Sequence, residues 1–435
     1  MSFHGDLAAV LRGREFRKLF GTRIVSQLGD GVYQVALASY VFFNPEQHTT
    51  APEVAVAFAV LLLPFSVVGP FAGVLIDRWS RRQVLLNSAL LKAVLAVATA
   101  LLVAVGSDGA PFLLAALVLL SINRFFLAGL SAALPHVVPR EKLVMANAVT
   151  PTCGTFATFL GAGLGAGLRL LAGDGALGTS VIMVGAAALF LGAAVVTLTL
   201  GRGQLGPDLA SAPDEVRAAV RNVAYGLIAG AQHIWRRPPA RYGLATIAAH
   251  RFGFGLSTLV TLLLYNNTFT GGGVAGLAGF SVAMAASGAG FFVAAMATPW
   301  ATERISKERW IAVLCGFGAG CLVAFALPFS VALFPVAGFA LGVVSQGIKI
   351  SVDTMIHHHV DDAFRGRVFS CYDMVFNAAF VAAAAVAALT VPPSGVAPIL
   401  VLAMSLGYAV LCVCWLVRAR GVDRAVTPST TATVT

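Results

Sequence analysis

The sequence predicts an all-α membrane protein whose twelve transmembrane helices form two pseudo-symmetric six-helix bundles, and three observations carry that expectation. Charged residues are 11% of the 435 positions and hydrophobic ones 58%, with a mean hydropathy of +0.86, whereas a soluble domain carries about 25% charge. Apolar runs long enough for a bilayer crossing, about 20 residues each, recur twelve times. Polar signals of the first half return in order in the second.

The first span, 19–43, follows the basic segment LRGREFRKLF. No small-residue cleavage site precedes Asp30, so it reads as an uncleaved helix rather than a signal peptide. Further spans fall at 54–76, 84–106, 111–135, 144–168 and 177–200. The polar stretch 201–241 then interrupts the series. Its Pro/Gly/Ser-rich start reads as a linker, and PDEVRAAVRNVAYGLIAGAQHIW, with Pro at a helix start and mixed polarity, reads as a helix lying along the cytoplasmic surface. Six spans follow at 242–265, 274–300, 310–328, 333–357, 367–391 and 395–417. The expected organisation is an N-terminal bundle (1–200), a linker with an interfacial helix (201–241), a C-terminal bundle (242–420) and a disordered tail (421–435). A β-barrel would need alternating segments of about ten residues, and VAVAFAVLLLPFSVVGPFAGVLI is apolar on all sides.

The net charge of +10 follows topology rather than nucleic acid. Of 29 Lys and Arg, 24 fall in alternate connections or at the start of the first span; the opposite connections carry only Arg169, and Lys92, Arg124, Arg251 and Lys349 lie within spans. By the positive-inside rule both termini and the central loop are cytoplasmic. The six Cys sit inside apolar runs without ligand-like spacing, which points to helix packing rather than disulfides or metal.

The halves repeat. DRWSRR at 77–82 is echoed by ERISKE at 303–308, an offset of 226, while the ends of the first and seventh spans, and of the fourth and tenth, superpose at an offset of 222. Duplicated six-helix halves are expected of alternating-access transporters, with substrate near the midplane. The absence of a Walker loop excludes ATP as the energy source. In HHHVDD, His357 to Asp362, consecutive His point about 100° apart on a helix, so the cluster suits no single metal and argues against a membrane enzyme or metal sensor.

The segment GVLIDRWSRRQVL resembles the signature between the second and third helices of the major facilitator superfamily: Gly73, Leu75, Asp77, Arg78, Arg81 and Arg82 fit, with Ile76 and Ser80 replacing Ala and Gly. VSQLGDGVYQVAL, LPHVVPREKLVMANAV and RGRVFSCYDMVFNAAFV resemble the efflux branch that includes macrolide and enterobactin exporters. The resemblance implies a non-enzymatic secondary transporter of the bacterial cytoplasmic membrane, monomeric and without cofactor, that expels a small amphipathic or organic compound in exchange for protons. Its partners are substrate, protons and membrane lipid; the alternative is a uniporter or a carrier of an endogenous lipid or metabolite. The resemblance further makes Gly73, Asp77, Arg78, Arg81, Arg82 and Asp373 a conformational latch, with Asp77 and Arg81 facing RGRVFS. The family's antiporter element corresponds to ATFLGAGLGAG, where Gly161, Gly163, Gly165 and Gly167 are present, Ala157 and Ala162 replace its Gly and Pro, and close helix packing explains the same glycines.

Ionisable residues at mid-span are functional candidates by default. Asp30 lies in the first span, flanked by Gly29 and Gly31, and Arg124 in the fourth. Both spans line the central cavity in the family, which makes an Asp30–Arg124 pair the expectation, either holding the first half together or serving as the proton switch. In the second half Arg251 lies mid-span, and Lys349 and Asp353, four residues apart, share a helix face. Tyr33, Gln34, Phe125, Phe252 and Phe254 lie near these charges in sequence and are the expected cavity lining.

Overall fold

The computed structural model describes residues 11–42, 52, 56, 79–106, 110–139, 142–173, 175–201, 203–206, 216–271 and 273–426. The expected span at 54–76, with Gly73, Asp77 and Arg78, therefore lies outside the described residues. Five helices precede the linker: α1 (Arg14–Phe42), α2 (Arg81–Ala104), α3 (Ala110–Ala133), α4 (Leu143–Ala172) and α5 (Ala176–Leu198). The linker helix is α6 (Val216–Trp235). Six follow: α7 (Pro238–Leu263), α8 (Gly273–Thr302), α9 (Lys307–Cys321), α10 (Phe334–His359), α11 (Asp362–Thr390) and α12 (Pro398–Val426). Among the described residues there is no strand.

Ten of these helices, all but α1 and α6, are long and apolar enough to cross a membrane. Helix α1 spans 29 residues but carries Arg23, Gln27, Asp30 and Gln34, a polar row that dilutes its hydropathy. Helices α7 and α9 run on into wider π-helical turns at Leu264–Phe269 and Leu322–Ala326. Helix α12 continues to Val426, six residues into the expected tail, whose remainder lies outside the described residues.

The chain divides into two compact units, the first built mainly of residues up to Gly226 and the second mainly of those from Leu227 onward. In the first, α1 packs on α4 and α5, while α2 packs on α3 and α5. Its core joins Val32, Tyr33 and Ala36 of α1 to Ala93 and Ala96 of α2, Phe112 of α3, and Met183 and Phe190 of α5. Glycine brings α1 and α4 together backbone to backbone. A Cβ on Gly31 would stand 2.1 Å from the Thr158 carbonyl oxygen, and one on Gly161 would stand 2.1 Å from that of Leu28. Gly163 and Gly167 have open space instead, so two glycines of ATFLGAGLGAG face the crossing and two face away.

In the second unit α7 packs on α10 and α11, and α9 packs on α10 and α12. Helices α8 and α10 repeat the glycine device: a Cβ on Gly290 would lie 2.1 Å from the Phe339 oxygen, and one on Gly342 would lie 2.1 Å from that of Ser287. The C-terminal half of α6 belongs to this unit and is docked, not loose. Gly230 lies against the Arg367 backbone, Cys371 Sγ donates to the Leu227 carbonyl at 3.3 Å, and Arg237 meets Asp361 at 2.5 Å. His233 stacks on Phe364 with ring centroids 4.3 Å apart. Tyr225, Ile228 and Trp235 remain exposed on α6, giving the two-faced helix that its mixed sequence predicts.

Candidate functional site

Alternating three- and four-residue steps along α2 bury Leu85, Ala89, Lys92, Ala96 and Thr99, so Lys92 is carried inward on an otherwise small and apolar face. Its ammonium is wholly buried. All three protons find oxygen: Asp30 Oδ1 at 2.7 Å, Asn123 Oδ1 at 2.8 Å and Ser26 Oγ at 3.0 Å. The Phe190 ring covers it with its centroid 4.1 Å away. Gly29 makes room for that ring, since a Cβ there would meet Phe190 at 2.7 Å. Asp30 Oδ2, also buried, makes no hydrogen bond. The arrangement holds one carboxylate oxygen and leaves the other open, a geometry that can accept a proton without first breaking the contact to Lys92.

The expected partner, Arg124, is therefore replaced by Lys92. On α3 it is Asn123 and Phe126 that turn toward the ammonium; Arg124 and Phe125 are rotated away by about 100° per residue, and Phe125 packs beside Val84. Tyr33 is likewise no cavity residue: it is fully buried in the first unit's core, its hydroxyl donating to Thr99 Oγ1 at 3.4 Å. Gln34, its neighbour on α1, is exposed. Sequence reasoning noted Lys92 within a span but gave it no partner. The spacing of buried positions along α2 was the signal.

In the second unit Arg251, at the centre of α7, lies among the rings of Phe376 (4.2 Å from the guanidinium carbon to the centroid), Phe380 (4.6 Å) and Phe254 (5.6 Å). Phe252 points to a different side of α7, two residues short of Phe254. Lys349 and Asp353 form the expected pair on α10, 2.5 Å apart, with side chains 40% and 27% exposed. Tyr372 bridges the groups: it stacks on Phe376 at 6.2 Å and stands under the Lys349 ammonium at 5.7 Å. Asp373 is on the exposed side of α11.

A second buried polar contact was not foreseen. His250 Nδ1 and the Tyr408 hydroxyl are 2.8 Å apart between α7 and α12, and His250 Nε2 is buried without a partner. Further along the bundle, Phe254, Thr258, Met284, Ser287 and Met404 help to line a cavity of about 30 Å³.

Of the expected latch, only Arg81, Arg82 and Asp373 are described. Arg82 Nε and Nη2 donate to the Leu200 and Leu198 carbonyls at 2.7 and 3.0 Å, and Arg81 Nη1 donates to the Leu205 carbonyl at 3.0 Å. Both thus tie the start of α2 to the end of α5 and the turn after it, satisfying carbonyls that a helix terminus leaves open. Of HHHVDD, His357 tilts against Phe369 and His359 Nδ1 meets the Met355 carbonyl at 2.8 Å, both ordinary helix-end contacts.

Comparison with known proteins gives a consistent result. The sequence pattern of the Major Facilitator Superfamily matches residues 19–348. Uncharacterised MFS-type transporters of Mycobacterium tuberculosis and Mycobacterium bovis are each 39% identical over 392 residues, covering 89% of this chain and 87% of theirs. The uncharacterised MFS-type transporter YfiS of Bacillus subtilis is 25% identical over 366 residues, covering 81% of this chain and 80% of its own. Among solved structures, a peptide transporter POT in complex with sulfate superposes with a TM-score of 0.70 at 13% identity, covering 98% of this chain and 99% of that one. The nucleoside transporter NupG superposes at 0.63 and 14% identity, covering 92% and 98%.

Proposed function

The chain belongs to the major facilitator superfamily and is a membrane transporter, and from that premise we propose that it works as a secondary active exporter, releasing a small amphipathic or organic compound in exchange for protons. The observation that carries the reading is the buried Asp30–Lys92 pair with its open Oδ2. An exchanger needs a group that takes up a proton in one conformation and gives it up in another, and a carboxylate beside a movable cation meets that need. With Asp30 ionised, its charge and that of Lys92 cancel across 2.7 Å. Protonation at Oδ2 removes the charge attraction and leaves an uncompensated ammonium with only neutral acceptors, Asp30 Oδ1, Asn123 and Ser26, which favours a conformation where Lys92 reaches water or where substrate replaces the carboxylate. Return of the proton to the opposite side restores the pair.

In this reading the chain is a monomer of the bacterial cytoplasmic membrane with both termini inside, the orientation that its basic residues support. Inside-out vesicles with an imposed pH gradient and a compound panel provide the test. Gradient-driven accumulation is expected for the native protein, and Asp30→Asn should abolish it while downhill exchange survives. Uphill transport by Asp30→Asn would make the carboxylate structural and move the coupling site to the second unit.

A further inference from the structure

Arg251 sits at the midpoint of a 26-residue span, roughly 20 Å of helix from either end. A guanidinium has five N–H donors, yet here none meets an acceptor and no carboxylate pairs with it; its only contacts of this kind are the faces of Phe376, Phe380 and Phe254. The other described cations deep in the spans differ. Lys92 has Asp30, Lys349 has Asp353, Arg23 donates to Gln27, and Arg124 is engaged as well. A charge without a partner at this depth is costly. The cation–π contacts offset part of that cost, but a ring face is no hydrogen-bond acceptor of the kind that a carboxylate offers, and the N–H donors stay unused.

The neighbourhood carries further charge. Lys349 and Asp353, in the second half of α10, are partly exposed, and ionised pairs within spans turn to protein or water rather than lipid. Tyr372 links the pair to Arg251 through Phe376. Together the group holds the cations Arg251 and Lys349 beside the carboxylates Asp353 and Asp373, of which Lys349 already pairs with Asp353, and Arg251 keeps aromatic walls and unused donors.

We infer that the transported compound is an organic anion with an aromatic or otherwise apolar body, whose carboxylate or comparable oxyanion is received by Arg251 between Phe254, Phe376 and Phe380. This rests on the transporter reading above and names its substrate class. A planar carboxylate takes two parallel bonds from a guanidinium, and the rings around Arg251 supply apolar surface beside it. An amine would bring a second cation against the unpaired Arg251 guanidinium, which disfavours it.

The purified full-length protein in lipid nanodiscs is tested by ligand-protected thermal unfolding with benzoate, naphthoate and pyrenebutyrate, each beside its amide and its amine analogue. At least one acid is expected to raise the unfolding temperature with saturation, while its amide and amine do not. Arg251→Gln should weaken that acid by more than about tenfold, or 1.4 kcal/mol. Arg251→Lys, which keeps charge and bulk, should retain part of the effect and guards against a glutamine variant that fails to fold. The inference is overturned by the absence of protection from every acid at millimolar concentration, by equal protection from amide or amine, or by undiminished binding in a folded Arg251→Gln. Because the assay reads binding without a gradient, it can succeed while proton-driven export fails, and the reverse.

Discussion

Lys92 Nζ meets Asp30 Oδ1 at 2.7 Å inside a site closed to solvent, and its other two protons go to Asn123 and Ser26. Removing one member of such a pair strands the other charge, at about 3–5 kcal/mol. Asp30→Asn and Lys92→Met should each lower unfolding stability by that order, and the double variant should lose much less than their sum. Reversible unfolding in bicelles measures the cycle; agreement with additivity within about 0.5 kcal/mol would show that the two residues are not coupled.

Glycine substitutions separate packing from other roles in ATFLGAGLGAG. Gly161→Ala drives a methyl into the Leu28 carbonyl, and Gly31→Ala into that of Thr158. Both should deplete monodisperse protein in size-exclusion chromatography. Gly163→Ala and Gly167→Ala meet open space and should be neutral or stabilising by up to about 1 kcal/mol through helix propensity.

Tyr408→Phe deletes the hydroxyl that His250 Nδ1 contacts and leaves both ring nitrogens of a buried imidazole without partners. A cost of about 1–3 kcal/mol follows. His250→Phe in the Tyr408→Phe background should recover part of it, since both polar groups are then gone; thermal unfolding of the two variants decides.

Docking of α6 should weaken in acid. Partial burial, then the cations Arg237 and Arg236, hold His233 below the ordinary histidine value, with Asp361 opposing them and Phe364 stacked on the ring. The docked form refuses a proton that the undocked form accepts, so docking is fully stable above the ordinary value of about 6.5 and is lost progressively as pH falls toward the lowered one. Hydrogen exchange of the α6 amides, corrected for intrinsic rates, should show loss of protection on acidification in the native protein and not in His233→Phe.

The spans were legible because bilayer thickness sets their length and backbone polarity makes them helices, constraints that act on each segment alone. Partner choice was not, because it depends on the rotation of packed helices. One step of about 100° along α3 exchanged Arg124 for Asn123, and a step on α1 buried Tyr33 while exposing Gln34. Lys349–Asp353 was readable because both charges lie on one helix, where four residues fix their distance. Arg251 was visible as a charge in an apolar run, but the two nearer of its ring neighbours come from α11, more than a hundred residues on. The anchoring of Arg82 on the last carbonyls of α5 carried no sequence signal at all.

Arg169 is the one basic residue that the charge pattern assigns to the far side of the membrane, and it is not a loop charge. It is 2% exposed near the end of α4, with Nη1 donating to Thr179 Oγ1 at 2.8 Å and to the Gly175 carbonyl at 3.2 Å. Its acceptors belong to the turn after α4 and to α5, which during synthesis leave the ribosome later than the arginine does. If α4 crossed alone, its last turn would carry a guanidinium without these acceptors. Crossing together with α5, it brings the oxygens that solvate it. The biogenesis of this chain therefore favours insertion of α4 and α5 as a helical hairpin, and a ribosome stalled between them should leave α4 poorly integrated.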